Sequence, residues 1–333
     1  MGEFKGYIEV LIALLLLVCY FVTNKAFQKR VGSDAGSSMT YSCTRGFITA
    51  LLFFLAYYFI NRRVPEVTWY SAAMSAALAM FVVGYTLVGF KVMNYGSLSV
   101  YTVFLMLGGM ILPYLYGVIW LNEPINAFRI IGIVIMVVSM FFPLFEKRTA
   151  PRKADETGLP EDVGSEEDRQ RGKPWLFTVL CLLVFLMNGA VSVISKTHAA
   201  EVFDLPTSDS MTFVMLCALF NGIFSGIILL VIRLRKRAGA GEKGQGTVNI
   251  CTELVRTVAI IVVLAAIFDG ASFFFQQLGA AALPASVMYP IQTGGSIVLS
   301  ALAGFLIFKE KPSKIALIGL CLTFCSTFLF LIE

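Results

Sequence analysis

Asp269 is the acidic residue of this chain placed to do chemistry. It sits near the middle of "TVAIIVVLAAIFDGASFFFQQLGA", with Glu253 the nearest acid upstream. At about 1.5 Å per residue it lies roughly 20 Å from the start of that apolar stretch. A carboxylate at such depth in hydrocarbon costs about 2.5–3.5 kcal/mol on insertion scales, so it faces a cavity or a partner. Helical spacing puts Phe273 and Gln276 on its face, with Ser272 beside them. A carboxylate, an aromatic ring and an amide together suit an organic cation or a polar metabolite, and the carboxyl can also exchange a proton. The competing explanation is a structural hydrogen bond to a neighbouring helix.

Other apolar runs carry polar faces of the same kind. Asn188, Ser192 and Ser195 recur at i, i+4 and i+7, and Tyr289 and Thr293 are i, i+4 with Gln292 adjacent. They can ring the same cavity as Asp269, or each can bond one helix to another for about 1 kcal/mol or less. Arg45 stands about two turns into its own run, where it can snorkel to the interface or bind an anion. The candidate substrate-binding residues are therefore Asp269, Phe273, Gln276, Asn188, Ser192, Tyr289, Gln292, Thr293 and Arg45. No HExxH, glycine-rich phosphate loop, GxSxG or acidic pair at metal-ligand spacing occurs, so catalysis is not expected and no cofactor or metal is implied. The seven cysteines lie mostly inside apolar runs and read as packing residues, far in sequence from His198, the only histidine.

The elements that must position these residues follow from composition. Of 333 residues 58% are hydrophobic and 14% charged, with a mean hydropathy of +0.81. A soluble domain carries roughly 25% charged residues, so lipid is the solvent for most of the chain. Soluble enzymes, disulfide scaffolds and nucleic-acid binders are excluded. The net charge of +5 comes from short basic clusters at span edges, not from a phosphate-tracking face. The first run lacks a basic leader and a small-residue cleavage site, which predicts no cleaved signal.

Continuous apolar runs predict helices rather than a barrel. Ten spans are expected, at 7–24, 39–60, 68–91, 97–121, 126–145, 174–195, 209–232, 255–279, 284–308 and 313–332. Residues 146–173, rich in charge, Pro and Gly, read as a flexible linker between a five-helix unit over 1–145 and another over 174–333. The halves echo one another. At an offset of 187, Gly108, Gly109, Gly117, Glu123, Gly132 and Ser139 fall on Gly295, Ser296, Gly304, Glu310, Gly319 and Ser326. "SMTY" at 38–41 recurs as "SMTF" at 210–213. An odd number of spans per half inverts the second, so the expected fold is an all-α integral membrane protein of ten transmembrane helices in two inverted five-helix repeats. Stripes of small residues, Gly109–Pro113–Gly117 and Ser296–Ser300–Gly304, are read as helix-packing faces, with Pro113 and Pro290 inside their spans. Glu123 and Glu310, each before a turn proline or lysine–proline, are read as solvated residues or caps of the following helix. Arg45 aside, five basic residues fall on the side holding both termini and twenty on the other. Charge alone therefore puts the termini outside and the long loops in the cytoplasm.

These residues resemble the drug/metabolite transporter superfamily, in particular its ten-span EamA-type members. The resemblance rests on "SMTYSCTRGFITALLFFLAYYFINRR", on "LGGMILPYLYGVIWLNEPINAFRIIGIVIMVVS" and on "TGGSIVLSALAGFLIFKEKPSKIALIGLCLTFCS". It implies a secondary carrier in the plasma membrane with a central cavity between the halves, its substrates ranging over amino acids, sugars, nucleotide sugars and hydrophobic cations. The expected function is alternating-access transport of a small polar or cationic metabolite or drug. The alternative is an ion conduit on the same fold, and after it a membrane enzyme. Expected partners are the lipid bilayer and a small-molecule substrate, with proton coupling and a homodimer as open options.

Overall fold

The computed structural model describes residues 2–31, 35–93, 98–141, 174–239, 252–309 and 314–331. The regular structure of these residues is entirely helical, in ten helices. They are α1 (Gly2–Val31), α2 (Ala35–Asn61), α3 (Trp69–Met93), α4 (Leu98–Trp120), α5 (Ala127–Phe141), α6 (Pro174–Ala199), α7 (Ser210–Gly239), α8 (Thr252–Ala282), α9 (Ala285–Phe308) and α10 (Lys314–Leu329). The expected linker at 146–173 lies outside the described residues, as does Glu310.

Eight of the ten are long and apolar enough to cross a membrane. The two exceptions, α5 and α10, have 15 and 16 residues, which at 1.5 Å per residue gives about 23 Å against a hydrocarbon core of about 30 Å. Among the described residues, eight of the ten expected spans are thus long enough to cross. The last four residues of the expected fifth span, 142–145, lie outside the described residues. Several helices outrun their expected spans, because polar residues continue a helix beyond its apolar stretch. The first run was expected over 7–24, yet α1 extends to Val31.

Outward faces are apolar around the bundle. Leu11 and Leu15 of α1, Leu51 and Phe59 of α2, Leu182 and Leu186 of α6, and Leu302 and Leu306 of α9 are all exposed. A water-soluble chain rarely leaves so much contiguous apolar surface uncovered, and lipid is the solvent that suits it. Inside, large apolar side chains such as Met110, Met136, Phe213 and Phe330 are buried, and glycines let helices approach closely. Gly46 of α2 meets α7 backbone to backbone, since a Cβ there would fall 2.7 Å from both the Ala218 oxygen and the Gly222 nitrogen. Close helix approach through small residues is the main source of packing energy where lipid tails supply no hydrophobic drive.

The helix partners follow a rule. α2 packs on α7, α4 on α9 and α5 on α10, each helix against the one five places on. Three further combinations come as exchanges, α1–α8 with α3–α6, α2–α8 with α3–α7, and α1–α9 with α4–α6, whereas α9–α10, α6–α8 and α7–α8 have no comparable counterpart. The turns after α4 and α9 agree too, with left-handed backbone at Asn122 (φ 53°) and Lys309 (φ 56°), 187 positions apart. Both helices end by turning a backbone N–H onto a glycine carbonyl, Gly117 in one and Gly304 in the other.

The end of the bundle bearing the start of α1 is tied shut by polar side chains acting on helix termini. Between α8 and α9 only Leu283 and Pro284 intervene. Glu123 accepts from the N–H groups of Ala285 (2.6 Å) and Ser286 (2.8 Å), capping α9. It was expected to be solvated or to cap the helix that follows it. It instead crosses to the other half, because the turn at Asn122 swings the carboxylate onto the exposed N–H groups of α9, where the helix dipole favours an anion. Lys196, 4% exposed, donates to the carbonyls of Ala280 (2.6 Å) and Leu283 (2.7 Å) and so closes α8 with a cation. Asp209 caps α7 through the N–H groups of Met211 and Thr212. His198, stacked on Phe213 with ring centroids 3.7 Å apart, bonds Ser71 at 2.8 Å, and Ser71 accepts from the Ser208 N–H. This joins α3, α6 and α7 at the same end.

Candidate functional site

Beyond that closed end a cavity of about 370 Å³ lies among the eight long helices. Tyr289 lines it and also belongs to the buried cluster of Val10, Leu14, Leu283, Ala285 and Met288. All nine residues singled out from the sequence line it: Arg45 from α2, Asn188 and Ser192 from α6, Asp269, Phe273 and Gln276 from α8, and Tyr289, Gln292 and Thr293 from α9. One surface therefore gathers residues up to 248 positions apart in sequence.

Their arrangement differs in one decisive respect from what each run suggested. Arg45 Nη1 forms an ion pair with Asp269 Oδ2. Neither residue stands alone, and Arg45 does not snorkel. Its helix begins at Ala35 rather than at the expected residue 39, which sets Arg45 ten residues, or about 15 Å, along the helix. The guanidinium then reaches inward instead of to an interface. The carboxylate side chain keeps 31% of its exposure and the guanidinium side chain 12%, so the acid is the member that meets the cavity. Behind the guanidinium stands the Tyr20 ring, with its centroid 5.2 Å from Arg45 Cζ. That contact and the ion pair hold the cation in a largely dry setting.

The polar residues divide into those already engaged and those with a free group. Asn188 Nδ2 donates to the Leu105 carbonyl at 2.7 Å, and Tyr289 Oη to the Ser192 carbonyl at 2.7 Å. Both thus join helices while lining the cavity. Ser192 Oγ turns back onto the Asn188 carbonyl at 3.4 Å. Gly109 permits the Asn188 contact, because a Cβ there would fall 2.6 Å from Asn188 Nδ2. Phe273 packs near Phe213, 6.4 Å between centroids, and forms an apolar wall with Leu78 and Val82. By contrast, Gln292 Oε1 and Arg45 Nε are buried and have no hydrogen-bond partner among the described residues. Both residues line the cavity, while these two atoms themselves are covered.

Sequence reasoning missed Tyr20, Phe21, Thr49 and Asn221, which also line the cavity. Tyr20 lies inside the expected first span, and its role comes from α2 bringing Arg45 over its ring. Asn221 carried a visible signal as an amide inside an apolar run, and its Oδ1 accepts from Ser42 Oγ at 2.8 Å across α2 and α7. Among the described residues no three His, Cys, Asp or Glu side chains are grouped to hold a metal ion.

No family model matches the chain, and no curated protein matches it. A solved structure described only as "Crystal structure of protein" is similar in fold, with a TM-score of 0.67 at 13% identity, over 98% of this chain and 95% of that one. At that identity the likeness concerns the fold alone.

Proposed function

We propose that this chain is a secondary carrier of the plasma membrane that moves a small polar or charged metabolite by alternating access. The supporting observation is a central cavity, mainly apolar but holding an ion pair, ringed by eight long apolar helices whose principal pairings recur when helices five places apart are exchanged. We read that exchange rule as two five-helix repeats inverted with respect to each other. Such an arrangement lets one set of contacts close either end around a fixed midplane site. The closed end then corresponds to one of the two states, with the α8–α9 corner as its seal.

Membership of the drug/metabolite transporter superfamily belongs to this proposal. Its support is the pair of matched segments that carry Glu123 and Glu310 and run on to Ser139 and Ser326, together with the similar backbone turns at Asn122 and Lys309. The cavity modifies the expectation of a cation site: Arg45 neutralises Asp269, so no coupling proton is needed to make the empty site electrically neutral.

The test is solute counterflow in proteoliposomes of the full chain, with a panel of labelled amino acids, sugars, nucleosides and quaternary amines. A carrier gives saturable uptake that is accelerated by the same solute inside. Flux that is non-saturating and carries small ions would make the protein a conduit and overturn the proposal.

A further inference from the structure

Resting on the carrier reading, we infer that the ligand of this cavity is a zwitterion of the α-amino acid class, its carboxylate docking on Arg45 and its ammonium on Asp269. The argument is one of charge compensation. In the empty cavity Arg45 and Asp269 satisfy each other. A cationic ligand that takes Asp269 strands a guanidinium whose side chain is 12% exposed, and an anionic ligand that takes Arg45 strands the carboxylate. Stranding one member of a desolvated pair is strongly unfavourable. A neutral solute such as a sugar gains nothing from either charge and must compete with their attraction. A zwitterion with its charges a few ångströms apart replaces each member's partner, so the four charges alternate and none is left alone.

Groups around the pair fit the same occupant. Arg45 lines the cavity, and a guanidinium offers two parallel N–H groups, the geometry in which it recognises carboxylate best. Gln292 lines the same cavity, and its Oε1, covered and without a protein partner, can accept from an ammonium once the side chain turns inward. The apolar wall of Phe21, Leu78, Val82, Met106 and Phe273 is left for a side chain. A cavity of about 370 Å³ is at the small end of the roughly 300–1,000 Å³ of ligand pockets, which suits one such molecule rather than a nucleotide conjugate.

The experiment uses the full chain in lipid nanodiscs. The twenty common amino acids are screened by thermal shift, and the best binder is compared with its methyl ester, which keeps only the ammonium, and its N-acetyl derivative, which keeps only the carboxylate. The free amino acid is expected to bind at least ten-fold tighter than either derivative, and R45Q and D269N are each expected to lose at least ten-fold. These comparisons on the unaltered protein do not depend on the variants folding. An ester that binds as well as the amino acid, an N-acetyl derivative that does so, or no shift with any of the twenty overturns the inference. Counterflow separates the two claims: saturable transport of the ester alone keeps the carrier and removes the zwitterion, whereas binding of the amino acid with no transport removes the carrier.

Discussion

Replacing Asp269 by Asn leaves the Arg45 guanidinium charged, largely desolvated and without its counter-ion. Removing one partner of a fully buried ion pair costs about 3–5 kcal/mol, and removing one of an exposed pair about 0–1 kcal/mol. With side-chain exposures of 12% for Arg45 and 31% for Asp269, the D269N variant falls between these limits, at about 2–3 kcal/mol. R45Q strands the more exposed member and costs less, about 1–2 kcal/mol. The R45Q/D269N double variant strands nothing, and two amides can bond each other, so its cost is about 1 kcal/mol. The double-mutant cycle then returns a coupling of about 3 kcal/mol, well above the roughly 0.6 kcal/mol average for polar contacts between membrane helices. The assay is reversible unfolding in mixed detergent–SDS micelles followed by the fluorescence of Trp69, Trp120 and Trp175. A coupling below about 0.6 kcal/mol would refute the view that these two charges compensate each other in a dry cavity.

Other outcomes follow from the same contacts. Collapsing the pH gradient with an ionophore should leave the counterflow rate within about two-fold, since the Arg45–Asp269 pair is neutral without a coupling proton; strict dependence on the gradient would contradict this. Gly46→Ala places a methyl group 2.7 Å from backbone atoms of α7 that cannot swing aside. The expected cost is about 1–3 kcal/mol in unfolding, together with weaker ligand binding because Arg45 is its chain neighbour. Glu123→Gln replaces the charge-assisted cap on Ala285 and Ser286 with a neutral one, with an expected loss of about 1–2 kcal/mol measured by the same unfolding. Lys196→Met leaves the carbonyls of Ala280 and Leu283 without their buried donor, at about 2 kcal/mol.

Apolar runs alone determined that the chain is helical and suited to lipid, because a backbone without water must bond to itself and a helix does so within one segment. Helix order and the position of Asp269 within α8 were equally legible, since both follow from the length and polarity of one run. The grouping of nine residues on one cavity was one of two readings open to the sequence, the other being bonds between helices, and Asn188 and Tyr289 do both. Where polar residues continue a helix, as at Thr23 to Arg30 of α1, the apolar run ended short of the helix end. Pairings between distant runs stayed hidden for a different reason. Arg45 and Asp269 lie in runs separated by more than 200 residues, and nothing local to either encodes which of several inward-facing groups the other will meet. Likewise Glu123 looked the same whether it capped its own neighbour or α9. Tertiary packing decided these partners: burial removes water as an alternative, and a charge or helix end deprived of water takes the compensating group that the fold sets beside it.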